Sequence, residues 1–295
     1  MIEKNQMDWT SLISQTRPIS ESAIIPYTEF EFARKCRAMG DKIIEKNGQF
    51  WRETHPGFYQ ALHWLARIPA AKAIRPTSFC WGYRATLAEE DASAANGTMP
   101  VHLLRDISKY DMNYLTAKRR NALRKSRNSV TVVELTGPAM LNDRGYEVFR
   151  SSAIRTGYSS IPTRKVYLGT VAQNFMVQTL ALAGLVRNSL AGYLIGHAVG
   201  STAYMDSLIL ATEHLSTQIG TALVYDFVQI CRRSDAIHEI VYGQHSREDQ
   251  SLVAYKEGMG FPVVYLPSMV YIHPFVEAIL RRYKPHVYYR LTGRG

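Results

Sequence analysis

From Val130 onward the apolar and polar positions fall into short, regular blocks. Residues 130–136 (VTVVELT) predict a strand, and 141–155 and 163–175 predict two helices. Strands are predicted over 176–186 and 190–199 around the turn Arg187-Asn188-Ser189, then over 202–210. A helix over 217–233, a strand over 239–242, a helix over 249–257 and a strand over 262–271 follow. The order β-α-α-β-β-β-α-β-α-β predicts an α+β fold: a mixed, mostly antiparallel sheet flanked by helices, in which a three-strand meander leads into strand-helix-strand units. The first half is less regular. Residues 1–26 read as a polar leader with Pro18 and Pro26, and 28–47 as an amphipathic helix stopped by Gly48. Aromatic residues crowd 50–75, strands are predicted at 78–87 and 99–105, and 111–128 reads as a basic helix. The boundary is placed at 128/129, with 1–128 as one region and 129–295 as the other.

The run from Ala191 to Thr221 organises the second region. In its second strand, alternation puts Tyr204, Asp206, Leu208 and Leu210 on one face and Ala203, Met205, Ser207 and Ile209 on the other. Ser216 and Thr217 then stand as N-cap residues before the helical spacing of Ile219, Ala222, Leu223, Phe227 and Ile230. A strand end, a short loop and a helix start with Gly220 in its first turn together form an anion cradle, because free amides and the helix dipole both favour a phosphate there. The candidate binding residues are Leu208, Ile209 and Leu210 at the strand end, and Thr217, Gln218, Ile219, Gly220, Thr221 and Ala222 at the helix start. An ordinary capped helix with a packing glycine is the competing reading.

Composition narrows the class without choosing the chemistry. A chain of 295 residues with 46% apolar content can bury a substantial core, and no apolar run reaches the ~20 residues that span a bilayer. The amino-terminal MIEKNQMDW lacks the apolar core of a signal peptide, so a cytoplasmic protein is expected. Cys36, Cys80 and Cys231 are far apart and without CxxC spacing, which suggests neither disulfides nor zinc, and no metal is expected. Glu89-Glu90-Asp91 can bind a cation or simply form a solvated turn. The formal charge of +10 predicts anionic partners such as nucleotide cofactors, nucleic acid or acidic lipid. Six of the ten residues from Lys118 to Arg127 are basic, consistent with phosphate attraction or with a solvated helix face. Trp51 and Arg52 are read either as a binding wall or as core.

The element order, with a phosphate-ready helix after the last meander strand and DQSLVAYKEGMGF further on, resembles the GCN5-related N-acetyltransferase (GNAT) superfamily over roughly residues 129–272. Gly220-Thr221-Ala222 matches the second half of that superfamily's Arg/Gln-x-x-Gly-x-Gly/Ala helix start, while Thr217 stands at its first position with Gln218 one place late. Tyr255-Lys256 followed by Gly260-Phe261 is nearer to the Fem-type aminoacyl transferases, which are similar to two GNAT units in tandem. The first half would then be a degenerate first unit.

The resemblance implies an N-acyltransferase that takes an acyl group from acyl-CoA, acetyl or longer, and delivers it to a small-molecule or peptide amine. An acyl carrier protein or an aminoacyl-tRNA stays open as the donor, as does a non-catalytic binding module. Lys256 is the candidate for stabilising developing negative charge and Tyr255 the candidate acid. Asp206 is a candidate base, with Glu213 at that strand's end and His197 and His245 nearby. The oligomeric state is not legible.

Overall fold

The computed structural model describes residues 12–175 and 178–294. Residues 1–11 of the expected polar leader, and Met176 and Val177 at the start of an expected strand, lie outside the described residues. The chain runs through β1 (Thr16–Pro18), α1 (Glu29–Ala38), β2 (Ile43–Lys46), β3 (Gln49–His55), β4 (Phe58–Ala61), β5 (Gly82–Thr86), β6 (Gly97–Arg105), α2 (Ala117–Arg127) and β7 (Thr131–Leu135). It continues through α3 (Tyr146–Arg155), α4 (Arg164–Phe175), β8 (Leu180–Val186), β9 (Ser189–Val199), β10 (Thr202–Leu210), α5 (Ile219–Arg232), β11 (Glu239–Gln244), α6 (Gln250–Gly258), β12 (Val263–Ile272), α7 (Pro274–Tyr283) and α8 (Pro285–Thr292).

The order expected from Val130 to Tyr271 is present, with ends moved by a few residues. The first half departs more: the basic helix expected over 111–128 begins only at Ala117, the aromatic stretch after residue 50 holds β3 and β4, and two further segments change type. Part of the expected leader is β1, which pairs antiparallel with β7. The helix expected over 28–47 ends at Ala38, and Ile43 and Ile44 belong to β2. Asn47 and Gly48 both have positive φ, 54° and 71°, and turn β2 directly into β3. Asn-Gly in that conformation forms the two-residue turn whose twist suits a hairpin, and it overrides the helical spacing of the isoleucines.

Contacts divide the chain into two compact units. One takes the described residues through Pro26, Arg105–Ile240 and Gly258–Gly260; the other takes Tyr27–Leu104, Val241–Glu257 and Phe261 onward. The boundary expected at 128/129 falls inside the first of these.

In the first unit the strands run β1-β7-β8-β9-β10, all antiparallel. The start of β11 lies level with the start of β10, since the Glu239 N–H donates to Ser201 O and the Thr202 hydroxyl to the Glu239 carboxylate at 2.7 Å. Helix α5 lies on this sheet through glycines. A Cβ at Gly184 would sit 2.6 Å from Ile219 Cδ1, and one at Gly196 would sit 2.5 Å from Phe227 Cε2. The stripe Ile219, Leu223, Phe227 at i, i+4, i+8 therefore meets a strand surface without side chains and packs closer than ordinary residues allow. Helix α2 is tied to α5 by Arg127, whose guanidinium makes a two-bond contact with the buried Asp226 at 2.8 and 2.5 Å.

In the second unit the order is β11-β6-β12-β5-β4-β3-β2. The hairpins β2-β3 and β3-β4 are antiparallel, and β4 then pairs parallel with β5. The connection over residues 62–81 carries only a 3-10 turn, Ala70–Lys72. Trp51 is fully buried, edge-on to Tyr83 at 5.7 Å, so it is core and not a binding wall. Arg52 pairs with Asp41 at 3.0 Å. Of the three consecutive acids, Asp91 accepts the Ala70 N–H at 2.7 Å, a turn-stapling role.

Candidate active site

Strand β10 does not alternate as expected. Its register with β9 shifts between Met205 and Ser207, so Asp206 is an extra residue with no partner opposite. A bulge of this kind moves every later side chain to the other face. Leu208 and Leu210 thus join Met205 and Gly196 on the side of α5, where Leu210 Cδ2 would meet a Cβ at Gly192 at 2.9 Å. Ser207 and Ile209 share the other face with Tyr204. The expectation that Tyr204, Asp206, Leu208 and Leu210 share one face is corrected accordingly.

The bulge aims Asp206 at His197. Asp206 Oδ2 accepts from His197 Nδ1 at 2.7 Å, and the imidazole stacks on Tyr204 at 5.1 Å. His197 is buried, whereas the carboxylate of Asp206 is exposed. A carboxylate that holds Nδ1–H fixes the imidazole tautomer and leaves Nε2 as the lone-pair nitrogen. The pair sits on the β9–β10 hairpin, with Asp206 its solvent-facing end.

Beyond β10 the chain makes a 3-10 helix, Thr212–Thr217, and restarts as α5 at Ile219. The N-cap is Gln218, in the left-handed region at φ 61°, with no side chain capping the helix. Ser216 and Thr217 do not serve as caps: the Thr217 hydroxyl turns back to donate to His214 O at 2.7 Å. Thr221 N–H and Ala222 N–H reach Gln218 O, so Ile219 and Gly220 carry the amides that a helix leaves without an intrahelical acceptor. The residues around them divide sharply. Ile219, Gly220, Thr221 and Ala222 are buried, while Thr217 and Gln218 are half-buried. Glu213 is exposed and accepts from the Ser151 hydroxyl at 3.0 Å, which ties the 3-10 helix to α3 rather than joining Asp206.

The other predicted residues lie in the second unit. Lys256 is only 7% exposed, its Nζ stands 5.0 Å from the Tyr242 ring centroid, and burial pulls its pKa down to about 8. Among the described residues no carboxylate lies within ion-pair distance of it; Asp249 acts on it only from further away. Tyr255 meets Tyr242 edge-on at 6.5 Å. His245 Nδ1 lies 2.6 Å from the Tyr289 hydroxyl, which is 3.2 Å from that of Tyr265. Burial lowers the pKa of His245 and takes that of His102 to about 4, with His102 Nδ1 donating to Phe261 O. Burial likewise raises the Tyr242 and Tyr289 phenols. The cluster also holds Arg247, whose guanidinium lies 4.4 Å from the Tyr289 ring, and within it Lys256 is the cation that burial brings toward titration.

The pairing of His197 with Asp206 and the roles of His102, Tyr265 and Tyr289 escape the sequence reading. The first had a usable signal. A two-residue turn at Gly200-Ser201 puts Val199 opposite Thr202 and hence His197 opposite Tyr204. The others come from distant segments and have none. On α2, the cations are not all available: Arg127 holds Asp226 and Arg120 holds Leu115 O, while Lys118, Arg124 and Lys125 are exposed.

No family model matches the chain, and no curated protein does. Solved structures do match. FemX superposes with a TM-score of 0.60 at 9% identity, covering 94% of this chain and 99% of that one. The C-terminal DUF2156 domain of a protein described as a lysylphosphatidylglycerol synthetase, from Agrobacterium fabrum, gives 0.56 at 10% identity, covering 90% and 98%. A conserved Bacteroides thetaiotaomicron protein of unknown function gives 0.56 at 10% identity, covering 92% and 99%. At these identities the likeness is one of fold: the chain has a Fem-type, GNAT-like fold, with a mixed, mostly antiparallel set of strands flanked by helices.

Proposed function

We propose that the chain is an N-acyltransferase that takes an acyl group, acetyl or longer, from acyl-CoA and delivers it to the amine of a small molecule or peptide. The observation that carries this reading is the start of α5: a fourteen-residue helix that no side chain caps, entered through a strained Gln218 and following a bulged strand. Amides left in that state, at the positive end of the helix dipole, suit a diphosphate. In the reaction the amine nitrogen attacks the thioester carbonyl, a C–N bond forms, the C–S bond breaks, and the thiolate takes up a proton. The amine must first lose its own proton, and the Asp206–His197 pair is the assigned acceptor. Lys256 and Tyr255 belong to the other unit, and the Fem-type resemblance alone implies for them the stabilising of developing negative charge and the supply of a proton.

The first half is proposed to be a degenerate copy of the second. Each contains a three-strand meander followed by a connection and a further strand, but the first connection, residues 62–81, has no α-helix and hence no amide cradle.

Calorimetry with acetyl-CoA and longer acyl-CoAs tests the reading, and Thr217→Asp separates its parts. The new carboxylate stands beside the helix start, so it is expected to raise stability by about 0.5 kcal/mol and to weaken CoA affinity by at least about tenfold. Absence of binding below millimolar concentration in the unaltered protein would overturn the assignment. Asp206→Asn is expected to lower kcat by about a hundredfold while leaving CoA affinity within about twofold. A matching loss of CoA affinity would show that Asp206 supports the fold and not the proton transfer.

An aminoacyl-tRNA donor is favoured by one feature, the exposed Lys118, Arg124 and Lys125 on α2. That reading requires a tRNA affinity falling steeply with salt, with the slope reduced by about two when Arg124 and Lys125 are neutralised.

A further inference from the structure

We infer that the second unit carries a docking surface for an anionic phospholipid bilayer, formed by α7 and the loop before β5; it stands independently of the transferase reading. Helix α7 turns Val276 and Leu280 onto Phe58, Val270, Ile272 and Tyr288. Its other face carries Phe275, Ile279 and Tyr283 at four-residue spacing, and these are exposed, Phe275 at 71% and Tyr283 at 66%. Beside the helix start lies a second apolar group. The His273 N–H donates to Trp81 O at 2.7 Å, which fixes the preceding loop against the beginning of α7, and Phe79 in that loop is 96% exposed.

Charge decides what such a face is for. Residues 274–294 contain five Lys or Arg and a single acid, Glu277. Glu277 is turned to the packed side, where it accepts the Tyr288 hydroxyl at 2.8 Å. Arg281, Arg282 and Lys284 are exposed at the end of the same helix, with Arg282 5.6 Å from the Tyr283 ring. Rings and cations are thus interleaved on one turn. A protein interface concentrates apolar residues in a core depleted of charge, whereas at a bilayer the rings enter below the headgroups and long cations reach back to the phosphates. A nearly fully exposed phenylalanine at a loop tip beside an amphipathic basic helix fits the second pattern. Among the described residues no helix is long and apolar enough to cross a membrane, so the contact is peripheral.

Co-sedimentation of the full chain with phosphatidylcholine vesicles, and with vesicles in which about a third of the lipid is phosphatidylglycerol, tests this. The protein is expected to partition onto the anionic vesicles and to be released by salt. Partitioning is expected to fall at least about tenfold in the double variant Phe79→Ser, Phe275→Ser and in Arg281→Glu, Arg282→Glu, both with unchanged melting because the side chains are exposed. Failure of the unaltered protein to partition, equal partitioning onto both compositions, or partitioning that the variants leave unchanged would each overturn the proposal. So would sedimentation velocity in which the phenylalanine variant turns a dimer into a monomer without vesicle binding in the unaltered protein, since the face would then join two copies of the chain.

Discussion

Replacing Lys256 by Met is expected to make the protein more stable at neutral pH while abolishing transfer. In the folded chain the ammonium is buried against Tyr242 with its pKa at about 8 instead of 10.5. At 1.36 kcal/mol per pH unit that displacement corresponds to about 3 kcal/mol of unfavourable charge burial. The contact with the Tyr242 ring returns about 1 kcal/mol of this, so Met, which fills similar space without charge, should add about 2 kcal/mol at pH 7. The pH dependence has a definite sign. The folded value lies below the unfolded one, so the cost of burying the charge is fully present below about pH 8, shrinks as pH rises, and is gone above about pH 10.5. Stability of the unaltered protein should therefore rise between those limits, and Lys256→Met should lack that rise. Transfer should run the other way, declining above about pH 8 as the cation is lost. Urea midpoints at pH 7 and pH 10, set beside a pH–rate profile, check both. A variant less stable at pH 7 would mean that Lys256 holds the fold together and is not kept at a local energetic cost for chemistry.

The parts of the fold that were legible share one property: they follow from local pattern. From Thr131 to Ile272 the strands and helices come as compact apolar blocks, and short turns between them leave few alternatives. The α1–β2 segment failed because the isoleucines at 43 and 44 satisfy a helical period and a strand equally, and only the Asn47-Gly48 turn distinguishes them. The bulge at Asp206 failed for a different reason. An extra residue in one strand changes which face every later residue takes, yet it leaves the sequence YMDSLIL looking like plain alternation. The residues of the candidate site can be picked out along the chain, whereas their surroundings cannot. Lys256 stood out by its neighbours in the chain, whereas its burial depends on Tyr242 in β11, and the cluster joining His245 to Tyr289 depends on a segment more than forty residues away.

Gly196→Val is expected to be the most damaging single substitution in the first unit, with a loss of about 3 kcal/mol or more. The position looks unremarkable in sequence: one glycine inside the apolar strand SLAGYLIGHAV. In the fold a Cβ there would meet two things that cannot yield. Phe227 Cε2 at 2.5 Å belongs to a ring fully buried under α5, and Tyr204 O at 2.6 Å is main chain of the neighbouring strand. Since Gly196 pairs with Met205, the residue just before the bulge, any accommodation displaces β10 where Asp206 leaves the register to reach His197. The same push lifts Phe227 and with it the helix whose first turn is assigned to the diphosphate. Even Gly196→Ala should therefore lose CoA affinity beyond what its stability change explains. Gly169→Ala is the control, because that helical glycine has nothing within 4 Å of an added Cβ, and it should gain about 0.5–1 kcal/mol. Urea midpoints and CoA calorimetry on the two alanine variants separate the cases. If both behave alike, close packing of α5 on the glycine face of β8 and β9 is not what positions the helix start, and the link from strand glycines to the anion site fails.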